Sequence, residues 1–201
     1  MNQLAQRISS FFVLHSLISS DEQHIYTYCF EIILSSILAW GSVICIAIFT
    51  NKVLPTFLYM GGFFIFRSLS GGYHTETHLK CYLLSLTTYI LFLLIVHLIP
   101  VSNYWIASIV FIAIASPVLF FLAPVDHKNN PFTNEHKRRL KTKIRILLLI
   151  YLFIMLFLLY ADYGNIVFYL TCGFLQAAIS VAVAFNLKRK EETLCINSSS
   201  N

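Results

Sequence analysis

The sequence predicts an all-α integral membrane protein, a bundle of about six transmembrane helices with the second short or irregular, preceded by an N-terminal amphipathic helix. Three observations carry this reading. The 201 residues are 58% hydrophobic and 11% charged, whereas about a quarter of a soluble domain is charged. Mean hydropathy is +0.74, and the apolar residues come in long blocks instead of the 3.6- or 2-residue rhythm of half-buried elements. Basic residues also gather at some block ends and avoid others.

The elements follow in chain order. Residues 1–28 read as an N-terminal interfacial segment. Leu4, Ile8, Phe11 and Ile18 fall near one helical face, which suits a helix lying in the membrane surface; a leader packed on the bundle is the equal alternative. The short apolar core at 11–18 is interrupted by His15 and Ser16 and no A-x-A site follows, unlike a secretory signal. Six apolar blocks come next, at 30–49, 53–66, 81–99, 104–122, 146–161 and 166–187. About 20 apolar residues cross hydrocarbon, with a range of about 17–25. The first, third, fourth and sixth blocks meet that length. The fifth is short and extends through Ile144 if Arg145 snorkels. The second has fourteen apolar-block residues with Pro55 near its start and Gly61-Gly62 inside, so it either crosses as a thin helix or enters and returns. Residues 1–190 thus read as one membrane-embedded domain, and 191–201, ending in Asn-Ser-Ser-Ser-Asn, as a disordered tail.

Net charge is +5, and its placement orients the chain. Arg67 and Lys80 flank the connection between the second and third blocks. Lys128, Lys137, Arg138, Arg139, Lys141, Lys143 and Arg145 fill the connection after the fourth, and Lys188, Arg189 and Lys190 follow the sixth. The connections at 101–103 and 162–165 contain no lysine or arginine. Positive residues mark the cytoplasmic side. Blocks three and four form one hairpin and blocks five and six another, so the Arg67–Lys80 connection faces the cytoplasm whether or not block two crosses.

That connection is the chemical centre of the chain. It reads Arg67-Ser-Leu-Ser-Gly-Gly-Tyr-His74-Thr-Glu-Thr-His-Leu-Lys-Cys81, a polar island between greasy blocks. Cys29, Cys45 and Cys172 sit in or beside apolar blocks, where a thiol behaves as a small hydrophobe. Cys195 lies in the tail, and Cys81 alone has ionisable neighbours. A cysteine is a nucleophile as thiolate, with a free pKa near 8.5, and a histidine takes its proton or stabilises the anion. His78 is three residues before Cys81 and on a helix lies on the adjacent turn. His74 is seven before, which on a straight helix is about 10.5 Å of rise, so it reaches the sulfur only from a loop that folds back. Gly71-Gly72 supplies backbone freedom for such a loop and N–H groups for an oxyanion. Spacing alone leans towards His78. A metal reading of His74, His78 and Cys81 lacks a fourth protein ligand, so neither metal nor cofactor is called for.

The pattern Arg67-x3-Gly71-Gly72-x-His74-x6-Cys81 resembles the signature of the AgrB family, membrane-embedded cysteine endopeptidases of Gram-positive quorum-sensing systems. The likeness extends to chain size, the hydrophobic blocks, and a Pro124-Val-Asp…Asn-Pro131 stretch that leads into basic residues. The resemblance implies that His74 and Cys81 form the catalytic dyad, reversing the lean towards His78, and that Arg67 and Gly72 are needed for activity. It implies an AgrD-like propeptide with an acidic tail as substrate, a homodimer, and no nucleic-acid partner. By their charge, Lys137, Arg138, Arg139 and Lys141 read either as a surface that attracts an acidic tail or anionic headgroups or as topology signals alone, and Arg67 at the membrane edge reads as a further substrate-binding charge. Cleavage would leave the peptide as a thioester on Cys81, and an internal cysteine or serine of the substrate would then close a thiolactone or lactone ring. Glu76 and Asp126 are the candidates for orienting the histidine. A small transporter or peptide exporter is the alternative, suggested by the interrupted second block; a non-catalytic scaffold is a third reading.

Overall fold

A computed structural model describes residues 2–15, 17–71, 78–125 and 133–199. Among them are seven α-helices and no strand: α1 (Asn2–Leu14), α2 (Gln23–Phe49), α3 (Val53–Ser70), α4 (His78–Leu98), α5 (Tyr104–Leu122), α6 (Asn134–Tyr160) and α7 (Gly164–Ser199). Short 3-10 turns at Ser20–Glu22 and Val101–Asn103 lead into α2 and α5. α2 to α7 are each long and apolar enough to cross a membrane. The chain is a multi-pass membrane protein, and helices are the form in which a single segment satisfies its own backbone in hydrocarbon.

The second span corrects one half of its expectation. It is the shortest of the six, at 18 residues, but it is an unbroken α-helix. Pro55 is the third residue of α3, where its missing N–H would have had no helical partner in any case. α2 and α6 begin earlier than their hydrophobic blocks, at Gln23 and Asn134. Hydropathy marks the hydrocarbon stretch, whereas the helix continues wherever residues of good propensity propagate it. α7 likewise runs beyond its hydrophobic block, through Ser199.

Contacts divide the chain into two compact units. The first holds residues 1–51 and 75–93. Here α1 packs on α2 through small residues: Ala5 and Ser9 are fully buried, the Ser9 and Thr27 hydroxyls lie 2.7 Å apart, and Gln23 Nε2 donates to Ser10 Oγ at 3.0 Å. Leu4, Phe11 and Leu14 stay exposed on α1, so the helix combines a packed face with an apolar outer one. The Ser42 and Tyr82 hydroxyls, 3.2 Å apart, link α2 to α4.

The second unit holds residues 52–74 and 94–201, and α7 is its axis. Half of the apolar window of α7 is buried, against 17–28% for the other spans. α7 packs on α3, α5 and α6. Against α3 the approach is backbone to backbone. A Cβ added at Gly62 would stand 2.1 Å from the Leu170 carbonyl oxygen, and one at Gly173 would stand 1.9 Å from the Tyr59 carbonyl oxygen. Membrane helices gain close van der Waals packing through such small residues. Just beyond this contact Phe66 meets Tyr151 and Phe174 edge to face, and those two rings lie tilted against each other, with all three centroid distances 4.7–5.0 Å; Phe66 has no exposed surface. The end of α3 is thereby fixed on α6 and α7.

Gly173→Ala should therefore lower stability in detergent by about 1–3 kcal/mol, read as a fall in the thermal midpoint. Gly41→Ala, where an added Cβ would meet nothing within 4 Å beyond its own helix backbone, should change it by less than about 0.5 kcal/mol. Equal effects at the two positions would refute the close α3–α7 approach.

Candidate active site

α3 ends in the motif. Arg67 lies in its last turn, and its guanidinium donates to the Gly71 carbonyl. The Ser70 hydroxyl donates to the same carbonyl at 3.3 Å. Helix C-termini leave carbonyls without partners, and a basic side chain in the last turn is a common remedy. Gly71 has φ +68° and ψ −144°, a conformation open in practice only to glycine.

A second strand of chain meets this end. The Val125 N–H donates to the Ser70 carbonyl at 3.1 Å, and Gly71 and Val125 form an isolated parallel bridge. A Cβ at Gly71 would stand 2.6 Å from the Val125 carbonyl oxygen, so glycine is required here by space as well as by φ. The junction is internal: Ser70 has no exposed surface and Val125 is 8% exposed. It sits on the core that also contains Phe66, Ala123 and Ile144.

Cys81 stands three residues into α4, with an exposed free thiol. Exposure does not single it out, since Cys29 and Cys45 are exposed as well. Those two lie within the long apolar α2, whereas Cys81 adjoins the polar island. Its carbonyl accepts from Ser85 Oγ at 3.0 Å. Gly72, His74, Glu76 and Asp126 lie outside the described residues.

The basic stretch occupies the first turns of α6. Thr133 caps the helix, its hydroxyl accepting from the His136 N–H at 3.4 Å. Arg139 pairs with Glu135 one turn away, an exposed pair of small energetic weight. Arg138 and Arg139 are exposed, and Lys137 and Lys141 half-buried. Further along, Arg145 lies over the Phe120 ring, 4.4 Å from its centroid, and so ties α6 to the end of α5 by a cation–π contact.

The structure therefore joins Arg67 and Gly71 from the predicted set, and adds Ser70 and Val125, which sequence reasoning missed. The Pro124-Val-Asp stretch was visible as a pattern, but a main-chain hydrogen bond leaves no residue-type signature. A glycine directly after the last turn of α3 was the one local sign of a special helix end.

These features define a class first: a multi-pass α-helical membrane protein with a glycine-terminated helix and an exposed thiol at the borders of a polar inter-span segment. The family follows. The chain matches the model of the accessory gene regulator B family, AgrB, over residues 2–184, and it belongs to that family. It is 33% identical over 141 residues to an AgrB-like protein of Listeria innocua, covering 70% of this chain and 68% of the relative. An AgrB-like protein of Listeria monocytogenes is 31% identical with the same coverage. One from Clostridium perfringens is 32% identical, covering 67% of this chain and 66% of the relative. No solved structure matches the chain. Membership places the protein in an AgrB-type quorum-sensing role at the membrane.

Proposed function

We propose that the protein is a cysteine endopeptidase that removes the C-terminal tail of an AgrD-like propeptide and cyclises what remains. The observation that carries this is Cys81, an exposed thiol near the start of α4, standing seven residues after His74 in a chain of the AgrB family. In this reading His74 takes the Cys81 proton, and the positive end of α4 helps to hold the thiolate. The sulfur attacks the carbonyl before the tail, His74 protonates the departing amine, and the peptide remains on Cys81 as a thioester.

The energetics decide what the site must do next. An amide is more stable than a thioester, so the first step runs uphill and its product must be shielded from water. Attack by the substrate's own cysteine exchanges one thioester for another, which is nearly balanced. His74, neutral again, takes the proton of the attacking substrate thiol, and the departing Cys81 thiolate recovers that proton from the imidazolium. Holding the two reacting groups together replaces a large entropic barrier, and a serine in the same place gives a lactone. Loss of the released tail draws the sequence forward. The oxyanion falls to main-chain N–H groups at Gly71 and Gly72.

The acidic tail is assigned to the basic turns of α6, where Lys137, Arg138, Arg139 and Lys141 offer an electrostatic docking surface. The reaction is assigned to the cytoplasmic face. With six crossings, Lys52 alone of the fourteen lysines and arginines falls at the opposite helix ends, which fits the positive-inside rule. The Listeria and Clostridium relatives support a Gram-positive setting, and the family supports a homodimer. A transport reading loses its sequence support, because α3 runs unbroken.

The principal test is tail release in membranes that contain the protein and an AgrD-type propeptide with a C-terminal epitope. Cys81→Ser and His74→Ala should each abolish release, and persistence in either would rule out this dyad. Reversing the charges of Lys137, Arg138, Arg139 and Lys141 together should raise KM and leave kcat nearly unchanged, because docking acts equally on ground and transition states; an unchanged KM would leave these residues to topology alone. A membrane-impermeant maleimide should label Cys81 in inside-out vesicles and spare it in right-side-out ones, and the reverse pattern would overturn the orientation.

A further inference from the structure

Arg67 is the charge at the inner end of α3, and the simplest role for it would be to bind the acidic tail. Its geometry points inward. The guanidinium donates to the Gly71 carbonyl, four residues along its own chain. That carbonyl also accepts from Ser70 Oγ, and the carbonyl one residue earlier accepts from the Val125 N–H. Two successive carbonyls at the end of α3 are thus held by three donors from two segments of chain. The segment bearing Val125 comes from the connection after α5, more than fifty residues away in sequence. Gly71 can enter this arrangement only because it has no Cβ.

The consequence lies three residues downstream. Three residues of chain reach at most about 10 Å when fully extended, so His74 cannot stray further than that from the Gly71 Cα. A rotation of the Gly71 peptide therefore changes the direction in which the chain leaves α3 towards His74. We propose that Arg67 and the Val125 main chain are positioning groups: they lock the Gly71 carbonyl and, through it, set where the His74 loop departs from α3. Arg67 acts through Gly71 and not on the propeptide, and the Pro124-Val125 stretch is a strut for the catalytic loop as well as a link between spans. This rests on the peptidase reading above.

The chemistry supports a positioning role in two further ways. Val125 belongs to the same buried core as Phe66, Ala123 and Ile144, so packing holds the segment that meets Gly71. A guanidinium offers five donors in a fixed fork, so one donor spent on Gly71 orients the whole group. Arg67→Lys keeps the charge and one flexible donor; Arg67→Met keeps the length and loses both. Val125→Pro removes the one N–H that pairs with Ser70 and leaves every charge in place.

The test is a kinetic split on the full-length chain in proteoliposomes with the epitope-tailed propeptide, together with the pH profile of Cys81 alkylation by N-ethylmaleimide. Arg67→Met, Val125→Pro and Gly71→Ala should each lower kcat about 100-fold, the loss expected for a misplacement of about 1 Å, while KM stays within about twofold. Arg67→Lys should recover part of the loss. In the same variants the alkylation profile should move to that of His74→Ala. A tail-binding Arg67 would instead raise KM, leave Val125→Pro active and leave the alkylation profile in place; that result overturns the proposal. Recovery of folded protein is followed by its thermal midpoint in detergent, and the alkylation profile of Arg67→Lys reads the junction where a harsher variant does not accumulate. If the wild type leaves the propeptide whole, the peptidase reading fails. The alkylation profile then decides the junction alone, and a profile unmoved by Gly71→Ala overturns it.

Discussion

The structure is governed by the need to satisfy every main-chain N–H and C=O where water is scarce. Within hydrocarbon that requirement leaves only helices and closed barrels, and six long apolar helices meet it here. The requirement bites hardest at helix ends, whose last carbonyls have no partner inside the helix. At the end of α3 the partners are Arg67, Ser70 Oγ and the Val125 N–H. The same residues that complete the helix end hold the root of the polar inter-span segment. The proposed placement of His74 thus draws on the same hydrogen bonds that solve a membrane-folding problem at the end of α3.

Packing in the second unit fixes the end of α3. α7 is its most buried span, and α3 approaches it until main-chain atoms meet at Gly62 and Gly173. The Phe66, Tyr151 and Phe174 rings then seat the last turns of α3. Phe66 directly precedes Arg67, so a shift of this cluster would carry the guanidinium with it. Without a strong hydrophobic drive between helices in lipid, such steric fits determine which arrangement persists.

Much of the fold was legible because hydrocarbon imposes a length and a composition. Four of the six blocks are read directly as spans, the fifth once Arg145 is allowed to snorkel, and the basic residues mark their ends. The second was harder. Pro55 and Gly61-Gly62 look like helix breakers when read locally, but position and partner reverse their meaning. Pro55 falls where a helix lacks N–H partners, and Gly62 is where α7 comes close. A partner's approach cannot be read from one segment alone. The starts of α2 and α6 were missed for another reason, since polar helical turns outside hydrocarbon carry no hydropathy signal. At the candidate site, Arg67, Gly71 and Cys81 stood out by residue type. Val125 did not, because its contribution is an amide that any residue other than proline would supply.

The central claim is that Cys81 carries the peptide between cleavage and ring closure. Intact-mass analysis of the purified protein after brief exposure to the propeptide tests it most directly, with hydroxylamine to release thioesters. The account predicts a transient adduct equal in mass to the tail-less propeptide less one water, located at Cys81 and removed by hydroxylamine. Tail release with no adduct on any cysteine, or with the adduct on a residue other than Cys81, would contradict it.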